Sequence, residues 1–380
     1  MQENKKVITD IKNQMLKSES YLNEYATKSC DAIRFKEEKS DIRLNYARDI
    51  DRIIHSSSYT RYIDKTQVYS YISNDNISKR MTHVQFVSRA AKTIARSLGL
   101  NEDLCDAMAL GHDVGHVPFG HFGEAILDDI SQKRTGKCFA HNLNSVRVFK
   151  DIEKRGLGCN LTLQTLDGIM CHNGELLQKE YRPVKKDKEE FLKEYEECRK
   201  DSSKIKKLVP MTLEGCVVRI SDIIGYIGKD IEDSKRLSRF NVETIPDEIK
   251  NVLGVTNDQI MNSIIMDIVT QSYGKDYIQM SENVYEQVKN LKKFNYENIY
   301  YKAYDEKFKE KIKDMFYKLY DVYIQALENE EKENDIYKIF LDKMDKKYLE
   351  NSSNDEKVID YIASMTDNFI KRQYNKYVVK

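Results

Sequence analysis

The segment Leu110-Gly111-His112-Asp113-Val114-Gly115-His116-Val117-Pro118-Phe119-Gly120-His121 gathers three of the chain's seven histidines, one acid and three glycines into twelve residues. Imidazoles are poor core material, because each carries two ring nitrogens that need partners when buried. Three of them beside an aspartate point to a metal ion or a phosphate. His83, on a predicted helix upstream, and Asp222, in Val217-Val218-Arg219-Ile220-Ser221-Asp222-Ile223-Ile224-Gly225-Tyr226, can complete a set of ligands with His112 and Asp113. An unpaired carboxylate in so apolar a helix is costly to bury, and a metal would explain it. Two imidazoles and two carboxylates suit Mn, Fe, Mg or Zn with positions left open for water and substrate, unlike the closed thiolate sites of structural zinc.

Other residues could meet a substrate. Arg80, one helical turn ahead of His83, has the forked, permanently charged group that clamps phosphate, although a surface salt bridge would use the same chemistry. Tyr226 and Asp230 follow Asp222 at i+4 and i+8, so all three share one helix face and can line one pocket. Tyr226 would give that pocket an aromatic wall; as one of 25 tyrosines it could equally be core.

The elements that must position these groups read as helices. Four prolines and fifteen glycines leave long stretches with apolar residues at three- and four-residue spacing. Thr82 to Leu98 predicts a helix with Val84, Val87, Ala91, Ile94, Ala95 and Leu98 on one face and Gly99 as its C-cap. Glu102 to Leu110 predicts a second helix leading into the histidines. Residues 1–40 read as one or two polar helices, 41–240 as the metal-bearing core, and 241–380 as a helical region folded onto it, with Met315, Leu319 and Val322 at helical spacing. The charge run Lys179 to Lys207 reads as a solvated helical excursion or mobile insert. The expected class is all-α.

Composition narrows the setting. Lys plus Arg and Asp plus Glu both number 62, which argues against a general cationic coat for nucleic acid while leaving local patches open. No apolar stretch approaches a spanning helix and the amino terminus lacks a signal-like segment, so the expected location is the cytoplasm. Seven cysteines without a CxxC pair suggest reduced thiols.

The chain resembles the HD-superfamily phosphohydrolases and, within them, the deoxyguanosinetriphosphate triphosphohydrolase-like family. The ordered blocks are Arg48 to Ser57, Asp64-Lys65-Thr66-Gln67-Val68, Arg80-Met81-Thr82-His83, the histidine cluster, Phe139-Ala140-His141-Asn142, Gly156-Leu157 with Asn160-Leu161-Thr162, Gly168-Ile169 with His172-Asn173-Gly174, and Asp360 to Asp367. The resemblance implies an HD helical core with a C-terminal helical extension that splits a deoxynucleoside triphosphate into deoxynucleoside and tripolyphosphate. It implies His83, His112, Asp113 and Asp222 as ligands of a divalent metal, and His121 with Glu124 as a catalytic pair, with His121 the acid that protonates the departing 5′-hydroxyl. His116 would stand beside the scissile phosphate, and Gln67 and Val68 would meet the sugar or base. A turn around Pro118 and Gly120 that only caps the next helix is the structural alternative for the His116, His121 and Glu124 group. His141 would organise Glu124 or the leaving group, or pack in the core; His172 and Asn173 could equally be a helix terminus. The resemblance further implies a homo-oligomer, with a nucleotide or single-stranded DNA as effector and no membrane.

Two positions depart from the family pattern. Ile223 stands where an acid or lysine is frequent, and Asn144 where a glutamine is usual. Lys235, Arg236 and Arg239 could supply the missing cation. Two other functions stay open: a different HD-type nucleotidase or phosphodiesterase using the same ligands, and a nucleotide- or nucleic-acid-binding regulator without turnover.

Overall fold

The helix Leu213–Ile227 is buried on every side except at Tyr226, its apolar residues lying on all faces around the buried Glu214, Arg219, Ser221 and Asp222. It packs against Arg80–Leu98 and Glu102–Gly111, and Leu163–Cys171 and Asn45–Ile54 close over Glu102–Gly111. The computed structural model describes residues 2–39, 41–68, 77–173, 176–238, 240–300 and 305–379. Among them the only named strands are Glu180–Tyr181 and Ile278–Gln279, antiparallel, with Glu180 opposite Gln279 and Tyr181 opposite Ile278. The expected all-α class is borne out. No helix of the described residues is long and apolar enough to cross a membrane.

Local chemistry sets the helix ends. The Asn101 side chain accepts from the N–H groups of Asp103 and Leu104, and Thr212 accepts from that of Gly215, each satisfying a donor that the helix leaves unpaired. Gly99 ends Arg80–Leu98 at φ 68°, the left-handed cap expected from its position. The first forty residues hold one long helix, Gln2–Ser18, and then two short 3-10 turns. A segment of that stretch is pinned by buried Glu214, which accepts from the Thr27 N–H and hydroxyl and from the Asn101 N–H.

The charge run differs from the expectation of a solvated insert. Lys188–Lys200 is a helix, but Phe191, Tyr195 and Cys198 on one face are buried in the core. The side chain of Lys186 just before it is only 8% exposed, with its ammonium 2.8 Å from Asp167 and 2.6 Å from Glu194. Burial alone would lower this lysine; Asp167 and Glu194, with the neighbouring Cys171, hold it above its ordinary value instead.

Two apolar cores hold the molecule, and chain from beyond residue 240 enters both. In one, Phe316, Leu319, Tyr361 and Ile370 join Val84, Val117, Phe149 and Leu166. In the other, Ile260, Ile264, Ile268 and Leu291 join Ala91, Ile94, Val217 and Ile224. The helix Glu306–Glu328 lies against both Gly120–Thr135 and Asn354–Ala363. A chain ending at residue 240 strips apolar partners from both cores, so it should give no protease-resistant fold. Limited proteolysis and circular dichroism of that fragment check this; a native-like, trypsin-resistant fragment would contradict the packing described.

Candidate metal and catalytic site

Three packed helices bring four donors together. His83 projects from Arg80–Leu98, His112 and Asp113 directly follow Glu102–Gly111, and Asp222 lies within Leu213–Ile227. His83 Nε2 is 3.0 Å from Asp222 Oδ1 and 3.9 Å from Asp113 Oδ2. His112 Nε2 is 3.4 Å from Asp113 Oδ1 and 3.6 Å from Asp222 Oδ1. His112 Nδ1 points at the Ala109 carbonyl, 2.7 Å away, which fixes the ring and directs Nε2 at the carboxylates. That Nε2 is buried without a hydrogen-bond partner among the described residues. A buried, oriented and unpartnered nitrogen facing two carboxylates fits a metal ion.

The electrostatics agree. Burial works against ionisation of Asp113, yet His112, His116 and Arg80 hold it well below the usual carboxylate range. Asp222 is likewise held low by His112 and His83 against its burial. Burial disfavours the His112 cation, but Asp113 and Asp222 push its pKa up to about 9. The charge that the two acids draw onto His112 is charge that a divalent ion would supply. Arg80 is spent in part on this balance, since its guanidinium donates to Asp113.

Beside the donors stands a second group, so that six of the seven histidines form one cluster. His116 Nε2 lies 3.2 Å from Asp113 Oδ1, and its ring stacks on that of His141 with centroids 4.0 Å apart. Burial, with Arg80 and His141 nearby, holds His116 well below the ordinary histidine value. Glu124 is shared: His121 Nδ1 is 3.1 Å from Oε2, and His141 meets Oε1 through both its backbone N–H at 2.7 Å and its Nδ1 at 2.9 Å. Burial would raise Glu124, but the two histidines hold it far below its usual value. Behind them His172 Nδ1 faces the Ile169 carbonyl at 2.6 Å, and its Nε2 lies 3.1 Å from His141 Nε2. Burial and the neighbouring His112 lower His172 to about 3. His172 is therefore more than a helix terminus, whereas Asn173 donates to the Ile205 carbonyl at 3.2 Å, outside the cluster.

The backbone between these groups is tightly specified. A Cβ at Gly115 would lie 2.2 Å from the His141 carbonyl oxygen and from the Ser145 nitrogen, so this close crossing needs glycine. Asn144, at the position that departs from the family pattern, donates to the Gly115 carbonyl at 2.8 Å and so braces the same crossing. Phe119 precedes Gly120–Thr135 at φ 63°, ψ 25°, a left-handed conformation that costs a non-glycine residue about 1–2 kcal/mol.

A cavity of about 480 Å³ opens onto both groups. Of the residues expected at substrate, Arg80, Gln67, Val68, Tyr226, Asp230 and His141 all line it, as do His116 and His121. His121 is the most open of the acid–base group, with its side chain 61% exposed. Sequence reasoning missed Phe119, Phe122, Tyr296, Tyr300 and Lys309, which also line the wall. The Tyr300 hydroxyl donates to Asp230 Oδ2 at 2.7 Å, and the rings of Tyr296 and Tyr300 meet at 5.0 Å. Of the proposed replacement cations, Arg236 pairs with Glu232 at 3.2 Å and Lys235 is exposed, and neither lines the cavity; Arg239 lies outside the described residues, as does Gly174. Ile223 points into the apolar core, and the additional cation on the cavity wall is Lys309.

Residues 80–225 match the HD domain and residues 278–376 the phosphohydrolase-associated domain. HD domains bind divalent metals, and the helical core with its histidine–aspartate donor set defines the chain as an HD-domain phosphohydrolase. A protein of Caldanaerobacter subterraneus subsp. tengcongensis is 35% identical over 364 residues, 93% of this chain and 91% of its own length. One of Clostridium tetani is 34% identical over 349 residues, covering 90% and 88%. Both are named deoxyguanosinetriphosphate triphosphohydrolase-like protein, as is a Caulobacter vibrioides protein 37% identical over 217 residues, 56% of this chain and 52% of its own. This chain belongs to the deoxyguanosinetriphosphate triphosphohydrolase-like family.

Asp230 offers a pH signature. Burial raises its pKa from 3.8 to about 7, despite the Tyr300 hydrogen bond. The unfolded chain thus releases this proton near pH 4 while the folded chain keeps it to about 7, so this group subtracts stability as pH rises through that window. The loss levels off above pH 7 at on the order of 4 kcal/mol. Asp230→Asn removes it. Denaturant unfolding of both proteins without nucleotide should show the variant's advantage growing from pH 5 to pH 8; a difference independent of pH would refute the assignment.

Proposed function

We propose that the chain hydrolyses a deoxynucleoside triphosphate to deoxynucleoside and tripolyphosphate. The observation that carries the reading is one cavity that joins a four-donor set for a divalent metal, a carboxylate-held histidine pair and, further along its wall, the Tyr226, Asp230 and Tyr300 group. The names of the relatives support the same substrate class. His83, His112, Asp113 and Asp222 would hold the ion, which when bound supplies Lewis-acid polarisation at a phosphate and acidifies a nearby water.

The chain's own residues supply the remaining chemistry. Expelling a nucleoside 5′-oxygen needs a proton, and His121, held at Nδ1 by Glu124 and standing on the cavity wall, is the imidazole placed to deliver it. Glu124 stays ionised beside His121 and His141 and so favours the charged form of the donor. His116 and Arg80, both on the wall, face the phosphate, and Arg80 can fork onto its oxygens. Gln67, Val68 and the Tyr226, Asp230 and Tyr300 group receive the nucleoside. A ring packed against the sugar leaves no room for a 2′-hydroxyl and so selects the deoxy form.

The test is product analysis with a panel of deoxynucleotides and divalent metals. Tripolyphosphate is the expected product; orthophosphate or a cleaved diester would instead favour another HD reaction, and silence throughout would favour a binding protein. Asp113→Ala should lose bound metal and turnover together, as read by elemental analysis and rate. His121→Ala should keep its metal and lose about 10²- to 10⁴-fold in kcat, the usual contribution of a general acid. A His121→Ala protein that loses its metal would make that residue a ligand and leave the proton donor unassigned.

A further inference from the structure

Asp367 opens the helix Asp367–Tyr374, far along the chain from the histidine cluster, and is buried. Its carboxylate grips two separate backbones. Oδ1 accepts from the Phe119 N–H at 3.0 Å; Oδ2 accepts from the Thr66 hydroxyl at 2.6 Å and the Thr66 N–H at 3.3 Å. Both grips sit immediately before residues on the cavity wall. Thr66 precedes Gln67 and Val68, and Phe119 precedes the helix that carries His121 and Glu124.

Neighbouring groups tighten the same junction. Lys65, also buried, donates its ammonium to the His116 carbonyl and, at 3.4 Å, to the Ala363 carbonyl at the end of the preceding C-terminal helix. The Arg80 N–H donates to the Lys65 carbonyl at 3.0 Å, which ties the segment bearing Lys65 and Thr66 to the helix bearing His83. Phe119 and Gly120 run left-handed in succession, at φ 63° and 56°. A phenylalanine reaches that conformation readily only where something outside the turn fixes it. The charged acceptor on its N–H is such a group.

We propose that Asp367 is a positioning residue for the reaction: from the C-terminal region it fixes the left-handed turn at Phe119, and through that turn the reach of His121 into the cavity. The inference rests on the reading of His121 as the proton donor. It also gives the phosphohydrolase-associated region a task at the site beyond closing the core. Asp367 touches no donor atom of the metal set, so the effect should fall on turnover and spare the metal.

Asp367→Asn keeps one accepting oxygen and puts an N–H₂ where the other was, so one grip must fail. Turnover should fall about 10- to 100-fold, the scale of an ångström's misplacement, with bound metal unchanged. In a His121→Ala background the same substitution should cost less than about twofold, because the group it positions is already gone. Equal losses in the two backgrounds, or retention of more than about half the turnover in the single variant, would overturn the proposal. If Asp367→Asn does not fold, Thr66→Val removes only the 2.6 Å hydroxyl grip. It should then lower turnover about 3- to 10-fold with His121 present and leave it unchanged without; equal losses again overturn the idea. A wild-type chain that turns over no nucleotide would sink the proposed function, and amide exchange still judges the clamp. In Asp367→Asn either the Phe119 or the Thr66 amide should exchange at least about tenfold faster, and unchanged rates at both reject the grip.

Discussion

Two carboxylates buried face to face with two imidazoles govern this structure. Asp113 and Asp222 are largely withdrawn from water, and each would be strongly destabilising alone. Their charge is met by a ring of donors drawn from His83, His112, His116 and Arg80. That requirement explains why three helices must cross at this point and why the crossing allows so little variation. Gly115 lets two backbones touch, Asn144 braces them, and Ala109 turns the His112 ring. The remaining packing serves to hold charged groups at distances that solvent would otherwise relax.

The cluster also separates two kinds of histidine. His112 is drawn toward the charged form by the acids it faces, whereas His116 and His172 are held neutral by burial and cationic neighbours. His121 stands apart because it reaches solvent. That access suits the proton donor of the proposed reaction, and the rings behind it are shut away from solvent. Six chemically identical side chains thus take different tasks from their surroundings alone.

Much of the site was legible because its signals were local or anomalous. His112-Asp113 is a dipeptide, Asp222 is a carboxylate in an apolar helix, and Gly99 stands one residue past the last apolar position of its helix. Tyr226 and Asp230 followed from helical spacing once Asp222 was chosen. The far wall was not legible. Tyr296, Tyr300 and Lys309 come from a stretch crowded with tyrosine and lysine, where no single residue departs from its neighbours, and only the tertiary fold selects them. The charge run misled for a similar reason: Phe191, Tyr195 and Cys198 form a proper apolar face, but the charges between them dominate its composition, and Lys186 shows no sign of its two acidic partners in sequence. Asp367 was legible as the end of the block Asp360 to Asp367 but its task was not, since its partners lie 301 residues away in one case and 248 in the other.

The interleaving of the last helices with both cores bears on how the protein is made. A chain emerging from the ribosome presents His83, His112, Asp113 and Asp222 well before Tyr361 and Ile370 exist to complete the packing around them. Contacts of such long sequence separation form late and make folding slow. A chain grown as far as residue 240 therefore carries all four candidate donors while lacking much of the packing that encloses them. An interrupted synthesis yields a product with an exposed histidine–aspartate cluster and two open apolar faces, the kind of species that chaperones and proteases remove.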